Sequence, residues 1–212
     1  MKQYDKIVIG IDQSYKRTGI TVLGDKQIVK MLSIDYAGCK NNTMKRFELR
    51  NELYSLMREV NTQRNTGSKN ITVIVERIRL RSQGVLSESY IKSTGALVAA
   101  IIDFFYYYNN IPVYSVDTRA WKSAIVGTSK PVDNDYGIDP HKYPTILYMR
   151  RMGLLRRIAE PYEGRGKKGV IPIKIEGKKV PCKINDDVAD SYCIAMYGYL
   201  PKDKQKLKEE TF

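Results

Sequence analysis

Apolar and polar positions alternate between two periods along the chain. Short β-branched apolar runs predict five strands, at 7–12, 19–23, 27–34, 71–76 and 111–116. Apolar residues at helical spacing predict four helices, at 44–64, 86–108, 140–152 and 186–200. The first three strands follow one another through short polar turns, so we expect them to pair antiparallel. The later strand–helix–strand order predicts parallel pairing, and the pattern therefore indicates an α/β domain.

The first long helix is predicted to be amphipathic, and its apolar face is expected to pack on the sheet. Phe47, Leu53, Met57 and Val60 supply that face.

Carboxylates stand where two predicted strands end and where the last helix begins. Asp12 follows the first apolar run and Glu76 ends the fourth. Asp187 and Asp190 are three residues apart on the last helix, so they share a face and can share a metal ion. Because strand ends and a helix start can meet at one edge of a sheet, the four acids are candidates for one site.

Each acid also has a structural explanation of its own. Asp12 can close a turn through its side chain, and Glu76 can be a solvated strand end. Asp186 and Asp187 can stabilise the positive end of a helix behind the capping residue Asn185. These explanations do not account for the acids as a set, and the sequence leaves open whether Asp186 replaces Asp187 as a ligand.

Basic residues exceed acidic ones by thirteen, 36 against 23, and the excess is concentrated. Residues 142–184 hold twelve basic residues and three acidic ones. A concentrated patch of this kind predicts a polyanionic partner, and nucleic acid is favoured over a membrane because no basic amphipathic helix is present.

Two groups of basic residues are the candidate phosphate contacts. Three arginines directly follow Glu76, although such residues can also form a solvated face. The second group lies in 164–184, which predicts a basic loop leading into a hairpin turned at Glu176-Gly177. The candidates are Arg77, Arg79, Arg81, Arg165, Lys167 and Lys168.

Composition limits the remaining possibilities. A chain of 212 residues with 42% hydrophobic residues suits one domain, 1–212, with a charged, frayed tail at 201–212. Three widely spaced cysteines do not predict a disulfide framework or a zinc site, and reduced thiols fit a cytoplasmic location. We see no membrane span or signal peptide. A single histidine, His141, does not support a catalytic triad or a histidine metal site.

The acidic motifs carry a family resemblance. Ile9-Gly-Ile-Asp12 with Thr18-Gly19, then Val75-Glu76, then Asp187-Val-Ala-Asp190 resemble the catalytic strand, second strand and last helix of the RuvC Holliday junction resolvases. The order of the motifs matches over most of the chain, as do Val116 to Lys122 and the turn at Gly127. The resemblance implies an RNase H-like fold, with a mixed five-stranded sheet flanked by helices. The segment 164–184 resembles an insertion before the last helix, which suggests a divergent, phage-encoded member.

The same resemblance implies an activity and a site. It implies a homodimer that cuts four-way and other branched DNA junctions with Mg²⁺, two ions per site, for which Mn²⁺ can substitute. The catalytic and metal-binding acids are then Asp12, Glu76, Asp187 and Asp190. Lys122 and Lys130 are expected to contact DNA or stabilise transition-state charge. No small-molecule cofactor is expected.

The sequence also departs from the family. Arg79 stands where members often have an aromatic residue, and the glycine-rich turn is shortened to Gly127-Thr-Ser-Lys130. We therefore expect weak sequence selectivity.

Two other classes of protein compete with a junction resolvase. The segment after Ile9 also resembles the first phosphate loop of sugar kinases and actin-like ATPases, which need a second domain. A non-catalytic branched-DNA-binding protein of the same fold is the stronger alternative. Clustered carboxylates count against it, because a protein that only binds phosphates gains nothing from them.

Overall fold

A computed structural model describes residues 2–63, 71–77, 88–136, 138–158, 175–177 and 183–210. The main strands are β1 (Ile7–Gln13), β2 (Arg17–Gly24), β3 (Gln27–Asp35), β4 (Ile71–Glu76) and β5 (Val113–Val116). Shorter strands are β6 (Leu155–Ile158), β7 (Ile175–Gly177), β8 (Lys183–Ile184) and β9 (Leu207–Glu209). The helices are α1 (Asn42–Gln63), α2 (Glu88–Ile102), α3 (Thr118–Trp121), α4 (Tyr143–Arg151) and α5 (Asp186–Tyr197).

A six-stranded mixed sheet in the order β3-β2-β1-β4-β5-β9 organises the chain. β1, β2 and β3 pair antiparallel, whereas β1, β4 and β5 run parallel. This is the antiparallel-then-parallel arrangement that the order of the apolar runs predicts. The predicted RNase H-like fold class is confirmed, with one strand more than expected.

Alternating side chains send the two faces of the sheet into two separate cores. Ile7, Ile9 and Ile11 of β1 pack with α1 and α2. Val8 of β1 and Ile74 of β4 pack with α3, α4 and α5. Because side chains alternate along a strand, every second residue of β1 and β4 faces α5.

Two glycines let α5 lie directly on the sheet. A Cβ atom on Gly10 of β1 would lie 2.2 Å from the carbonyl oxygen of Ser191, and one on Gly19 of β2 would lie 2.2 Å from that of Asp187. Both contacts are with backbone atoms, which cannot move aside without shifting the helix. Almost every residue of α5 is buried in consequence, not only its apolar stripe.

The predicted tail is partly wrong. Instead of fraying throughout, residues Leu207–Glu209 add a sixth strand, which pairs antiparallel with the edge strand β5. Tyr197 contributes to holding this segment, because its hydroxyl accepts a hydrogen bond from the Lys206 amide at 2.7 Å. The charged composition does not predict this pairing. It becomes favourable because the edge strand β5 offers unpaired backbone groups.

Three further details of the structure differ from the prediction. Leu53, Met57 and Val60 of the predicted α1 face are buried, but Phe47 is 66% exposed, and Leu49 and Leu56 complete the face instead. The Glu176-Gly177 step belongs to strand β7, which pairs with β8 and β6 in a small second sheet. The helix expected from Pro140 begins at Tyr143.

Within the residues that the structure describes, no helix combines the length and apolarity needed to cross a membrane.

Candidate active site

Asp12 and Glu76 leave neighbouring strands at the same edge of the sheet. β1 and β4 are parallel, and Ile11 pairs with Val75, so the next residue on each strand is an acid. By alternation both acids face α5, as Val8 and Ile74 do further back along the same strands. Strand period and register thus place two carboxylates side by side under the last helix.

The start of α5 completes the cluster. Asn185 caps the helix by accepting a hydrogen bond from the Val188 amide at 2.9 Å, and its own amide donates to Ser33 of β3 at 2.8 Å. Gly19 pairs with Asp12 across β1 and β2, and the backbone of Asp187 lies against that glycine. The first turn of α5 therefore reaches Asp12 because Gly19 has no side chain.

Burial, together with repulsion among the carboxylates, raises the pKa of three of the acids. Burial raises the pKa of Asp12 well above its usual range, and the charges of Glu76, Asp190 and Asp187 raise it further. Burial also raises the pKa of Glu76 and of Asp190, and the charge of Asp190 adds to the shift at Glu76. Hence the four acids predicted from the sequence interact electrostatically at one edge of the sheet.

Lys122 is the cation nearest to Asp190. It is buried, and its Nζ lies 3.9 Å from Asp190 Oδ2 and donates to the carbonyl oxygen of His141 at 3.0 Å. Its charge opposes the rise that burial causes in the pKa of Asp190. Lys122 therefore faces into the acid cluster rather than out to solvent.

A second group of charges surrounds Asp186, which we call the Asp186 ion-pair cluster (Arg17, Lys142, Asp186). The guanidinium of Arg17 lies 3.2 Å from Asp186 Oδ1 and 2.7 Å from Asp187 Oδ2, and the ammonium of Lys142 contacts Asp186 Oδ2. Both oxygens of Asp186 thus meet a cation, whereas Asp187 pairs with Arg17 through Oδ2 and its charge acts on Asp12.

Two side chains hold the strand end at Glu76. The hydroxyl of Thr118 donates to Glu76 Oε1, and the side-chain amide of Gln13 donates to the Glu76 carbonyl oxygen at 2.5 Å. Thr118 is fixed in turn at the start of α3, where Asp117 caps the helix by accepting from the Arg119 amide at 2.9 Å. These hydrogen bonds therefore fix the Glu76 side chain and the end of its strand.

The acid cluster has the donor chemistry for a hard divalent cation. Asp190 Oδ1 is buried and accepts no hydrogen bond from the described residues, whereas the buried Asp187 Oδ2 already has the Arg17 guanidinium 2.7 Å away. Buried carboxylate oxygens without hydrogen-bond donors are costly unless a cation binds them. In their present positions, no three acidic, histidine or cysteine side chains among the described residues are grouped to hold one ion in common. The two-ion site stays a prediction.

Only some of the predicted DNA contacts lie among the described residues. Arg77 is half-buried, and its Nε donates to Ser115 Oγ at 3.3 Å beside the strand end. Lys130 is exposed in the segment after the left-handed turn at Gly127. The remaining candidates, Arg79, Arg81, Arg165, Lys167 and Lys168, lie outside the described residues.

Sequence reasoning did not find Arg17, Lys142 or Thr118. Thr118 lies within a segment that resembles the family, but nothing in its spacing predicts a bond to Glu76. Arg17 lies in the same hairpin as Asp12, and that proximity was the available signal. Lys142 is more than forty residues from its partner Asp186, so only the fold could reveal the pair.

Comparison with known proteins identifies the class of fold. No protein-family model and no curated protein sequence matches the chain. Among solved structures, Thermus thermophilus RuvC aligns over 96% of this chain and 99% of its own, with a TM-score of 0.57 at 13% identity. T. thermophilus RuvC in complex with a Holliday junction substrate aligns over 90% of each chain, with a TM-score of 0.55 at 13% identity.

The chain therefore has a RuvC-like fold, with its acids at the edge where β1 and β4 end. At this level of identity the likeness concerns the fold, and the site must be argued from its own residues.

Proposed function

We propose that this protein is a Mg²⁺-dependent, structure-selective endodeoxyribonuclease that nicks four-way junctions and other branched DNA. The observation that carries the proposal is the cluster of Asp12, Glu76, Asp187 and Asp190 at one edge of a RuvC-like sheet. Holding four interacting carboxylates together, two of them buried and two half-buried, destabilises a fold unless a cation compensates them. We therefore infer that these four acids serve the function of the protein.

The chain's own residues would supply orientation and charge. Asp12, Glu76, Asp187 and Asp190 would hold Mg²⁺, which when bound activates water and stabilises the leaving oxygen of a phosphodiester. Thr118 restricts the Glu76 carboxylate by donating to one of its oxygens. In the orientation that Thr118 sets, the Glu76 carboxylate would serve as one of the cation's ligands.

Lys122 would add positive charge inside the site. A buried ammonium beside Asp190 is fixed by its bond to the His141 carbonyl, so it is preorganised to stabilise charge that develops on a phosphate. Being buried, it can contact only a phosphate that has entered the acid cluster.

A branched DNA substrate fits the charge and the fold. The net charge of +13 supports binding to a polyanion, and the structural neighbour that was solved with a Holliday junction has the same fold. A four-way junction presents two symmetry-related strands, so we further propose a homodimer that places one acid cluster at each. Light scattering of the free protein would measure its oligomeric state.

The test is incubation of the purified protein with an end-labelled four-way junction, a fork and a linear duplex of matched sequence. We expect nicking of the branched substrates with Mg²⁺ or Mn²⁺ and none with Ca²⁺ or chelator. Asp190→Asn is the matched inactive control, because it keeps the shape of the side chain. Junction binding without cleavage under any metal condition would favour the alternative, a non-catalytic DNA-binding protein.

A second arm tests the predicted basic segment. Replacing Arg165, Lys167 and Lys168 with Ala should weaken binding of every DNA sequence and reduce the steepness with which affinity falls as salt rises. An unchanged salt slope would exclude these residues as phosphate contacts. A panel of junctions that differ only at the crossover measures selectivity, for which we expect differences below about a hundredfold, roughly one good base contact.

A further inference from the structure

The hairpin that carries Asp12 also presents an aromatic side chain beside the acid cluster. Tyr15 lies in the turn between β1 and β2, three residues after Asp12, and 38% of its surface is exposed. Three residues of extended chain span at most about 11 Å between Cα atoms. Arg17, two residues after Tyr15, lies 2.7 Å from Asp187, so the turn lies beside the acids. The turn itself is closed by the Ser14 amide, which donates to the Arg17 carbonyl at 2.8 Å.

Two helices hold the Tyr15 ring in place. Lys45 of α1 donates from Nζ to the carbonyl oxygen of Tyr15 at 2.9 Å, and the same Nζ lies 4.0 Å from the centre of its ring. Tyr90 of α2 packs against Tyr15 with ring centres 6.3 Å apart and planes tilted by 52°. An exposed tyrosine is usually mobile, whereas this ring is fixed by residues from two other elements.

The charge of Lys45 has no acidic partner in the described part of the chain. The residue is 7% exposed, and its ammonium is satisfied by a carbonyl and a ring rather than by a carboxylate. Burying a cation without a counter-charge is costly. The fold therefore keeps Lys45 to hold Tyr15, and the neighbouring Lys16 is exposed, so a phosphate can reach its charge.

We propose that Tyr15 is a stacking platform for an unpaired nucleobase of the DNA substrate, next to the phosphate at the acid cluster. A fixed, exposed ring with cations around it is what single-stranded nucleic acid requires, because every base has a π-face and every nucleotide a phosphate. Branched DNA has unpaired or distorted bases at its branch point. The inference rests on the proposed function and assigns it a contact that favours branched over linear duplex DNA.

Another exposed tyrosine provides a matched control. Tyr108 is 65% exposed and is also covered by a cation, with Arg50 Cζ 5.3 Å from its ring centre. It precedes β5, whose Val113 pairs with Val73 near the start of β4. Tyr108 thus lies at the opposite edge of the sheet from Glu76, with similar chemistry in a different place.

The experiment uses the full chain with Asp190→Asn, so that DNA is not consumed, and measures binding in Ca²⁺. The probes are a four-way junction and a short oligo-dT strand, each carrying 2-aminopurine, whose fluorescence changes when it stacks on a ring. We expect Tyr15→Ala to lose the fluorescence change and to weaken binding about fivefold to a hundredfold, as one lost base stack does. Tyr15→Phe should retain both, and Tyr108→Ala should behave as the parent. Thermal melting checks that each variant is folded, and Tyr15→Leu supplies a variant that keeps apolar bulk without a ring.

Each outcome separates this inference from the proposed function. If the parent binds either probe and Tyr15→Ala and Tyr15→Leu behave as Tyr108→Ala does, Tyr15 is not a stacking platform. If the oligo-dT signal depends on Tyr15 while the wild-type chain cuts no junction, the inference stands and the proposed nuclease activity fails. If the parent binds neither probe, both are overturned.

Discussion

Two acids one helical turn apart on α5, Asp186 and Asp190, have different surroundings. Asp186 is compensated on both oxygens, by Arg17 and Lys142. Asp190 has one distant cation, Lys122 at 3.9 Å, and a buried oxygen that accepts no hydrogen bond from the described residues. Both side chains are buried to a similar degree, 7% and 9% exposed.

The difference supports a structural role for Asp186 and the functional role that we propose for Asp190. A buried acid whose oxygens both pair with cations needs no further ligand, although removing one member of the pair is costly. A buried acid that remains under-compensated and is repelled by its neighbours lowers stability and needs another reason to be there. Asp190 is of the second kind, and the half-buried Asp12 and Glu76 share its repulsion.

The largest expected effect is on catalysis by Asp190→Asn. The amide keeps the shape but weakens a metal ligand, so we expect single-turnover cleavage of a four-way junction in Mg²⁺ to fall by at least about a hundredfold. Junction binding in Ca²⁺ should be retained or become tighter, since a negative charge near the phosphates is removed. Near-normal cleavage would contradict the assignment of Asp190, and loss of binding as well would indicate a folding defect.

Gly19→Ala should disturb the surroundings of Asp186 and of Asp190 at once. The added Cβ would lie 2.2 Å from the Asp187 carbonyl, so the first turn of α5 must move away from β2. We expect a loss of about 1–3 kcal/mol in the free energy of unfolding, as for other overpacked sites, together with reduced cleavage. Denaturant unfolding measures the first and the junction assay the second.

Gly38→Ala is the matched control for that substitution, because nothing lies within 4 Å of a Cβ at Gly38. Equal stability of the two variants would show that α5 does not depend on the close approach at Gly19.

Asp186→Asn should show the opposite balance from Asp190→Asn. Removing the charge leaves Arg17 and Lys142 without their shared partner, but both reach solvent, with 24% and 34% of their side chains exposed. We expect a loss of about 1–2 kcal/mol in unfolding free energy, less than for a fully buried pair, with cleavage largely kept. Cleavage lost as completely as with Asp190→Asn would make Asp186 a ligand and break the comparison.

The smallest expected effect is a difference in pH dependence without metal. The pKa values of Asp12, Glu76 and Asp190 are raised in the folded protein, mainly by burial. Between the unfolded and folded pKa values the folded state therefore binds more protons, so these groups lower stability as pH rises above about 4, where unfolded carboxyls ionise.

Asp190→Asn removes one of these groups and relieves its charge on the others. We expect the metal-free variant to be more stable than the wild type above that pH, with a gap that closes in acid. Thermal melting in chelator across pH measures the gap. A variant that is less stable than wild type at neutral pH would contradict the interpretation that the cluster is strained by its own charge.

The sequence predicted the identity and order of the acids, but not the side chains that surround them. Asp12, Glu76, Asp187 and Asp190 follow from apolar runs that end in carboxylates and from the i, i+3 spacing on a helix, both local patterns. The same local patterns predicted the parallel and antiparallel parts of the sheet. Phe47 was misplaced because helical spacing alone does not say which of two apolar stripes meets the sheet.

Tertiary structure decided everything that depends on distant residues meeting. The Arg17–Asp186–Lys142 contacts, the bond from Thr118 to Glu76 and the sixth strand at Leu207–Glu209 join segments whose separation along the chain carries no periodic signal. Gly10 and Gly19 were visible in the sequence as letters of a motif, but their role is to let a helix touch two strands. The role of a glycine without a side chain depends on which atoms lie beside its Cα, and packing in three dimensions decides that.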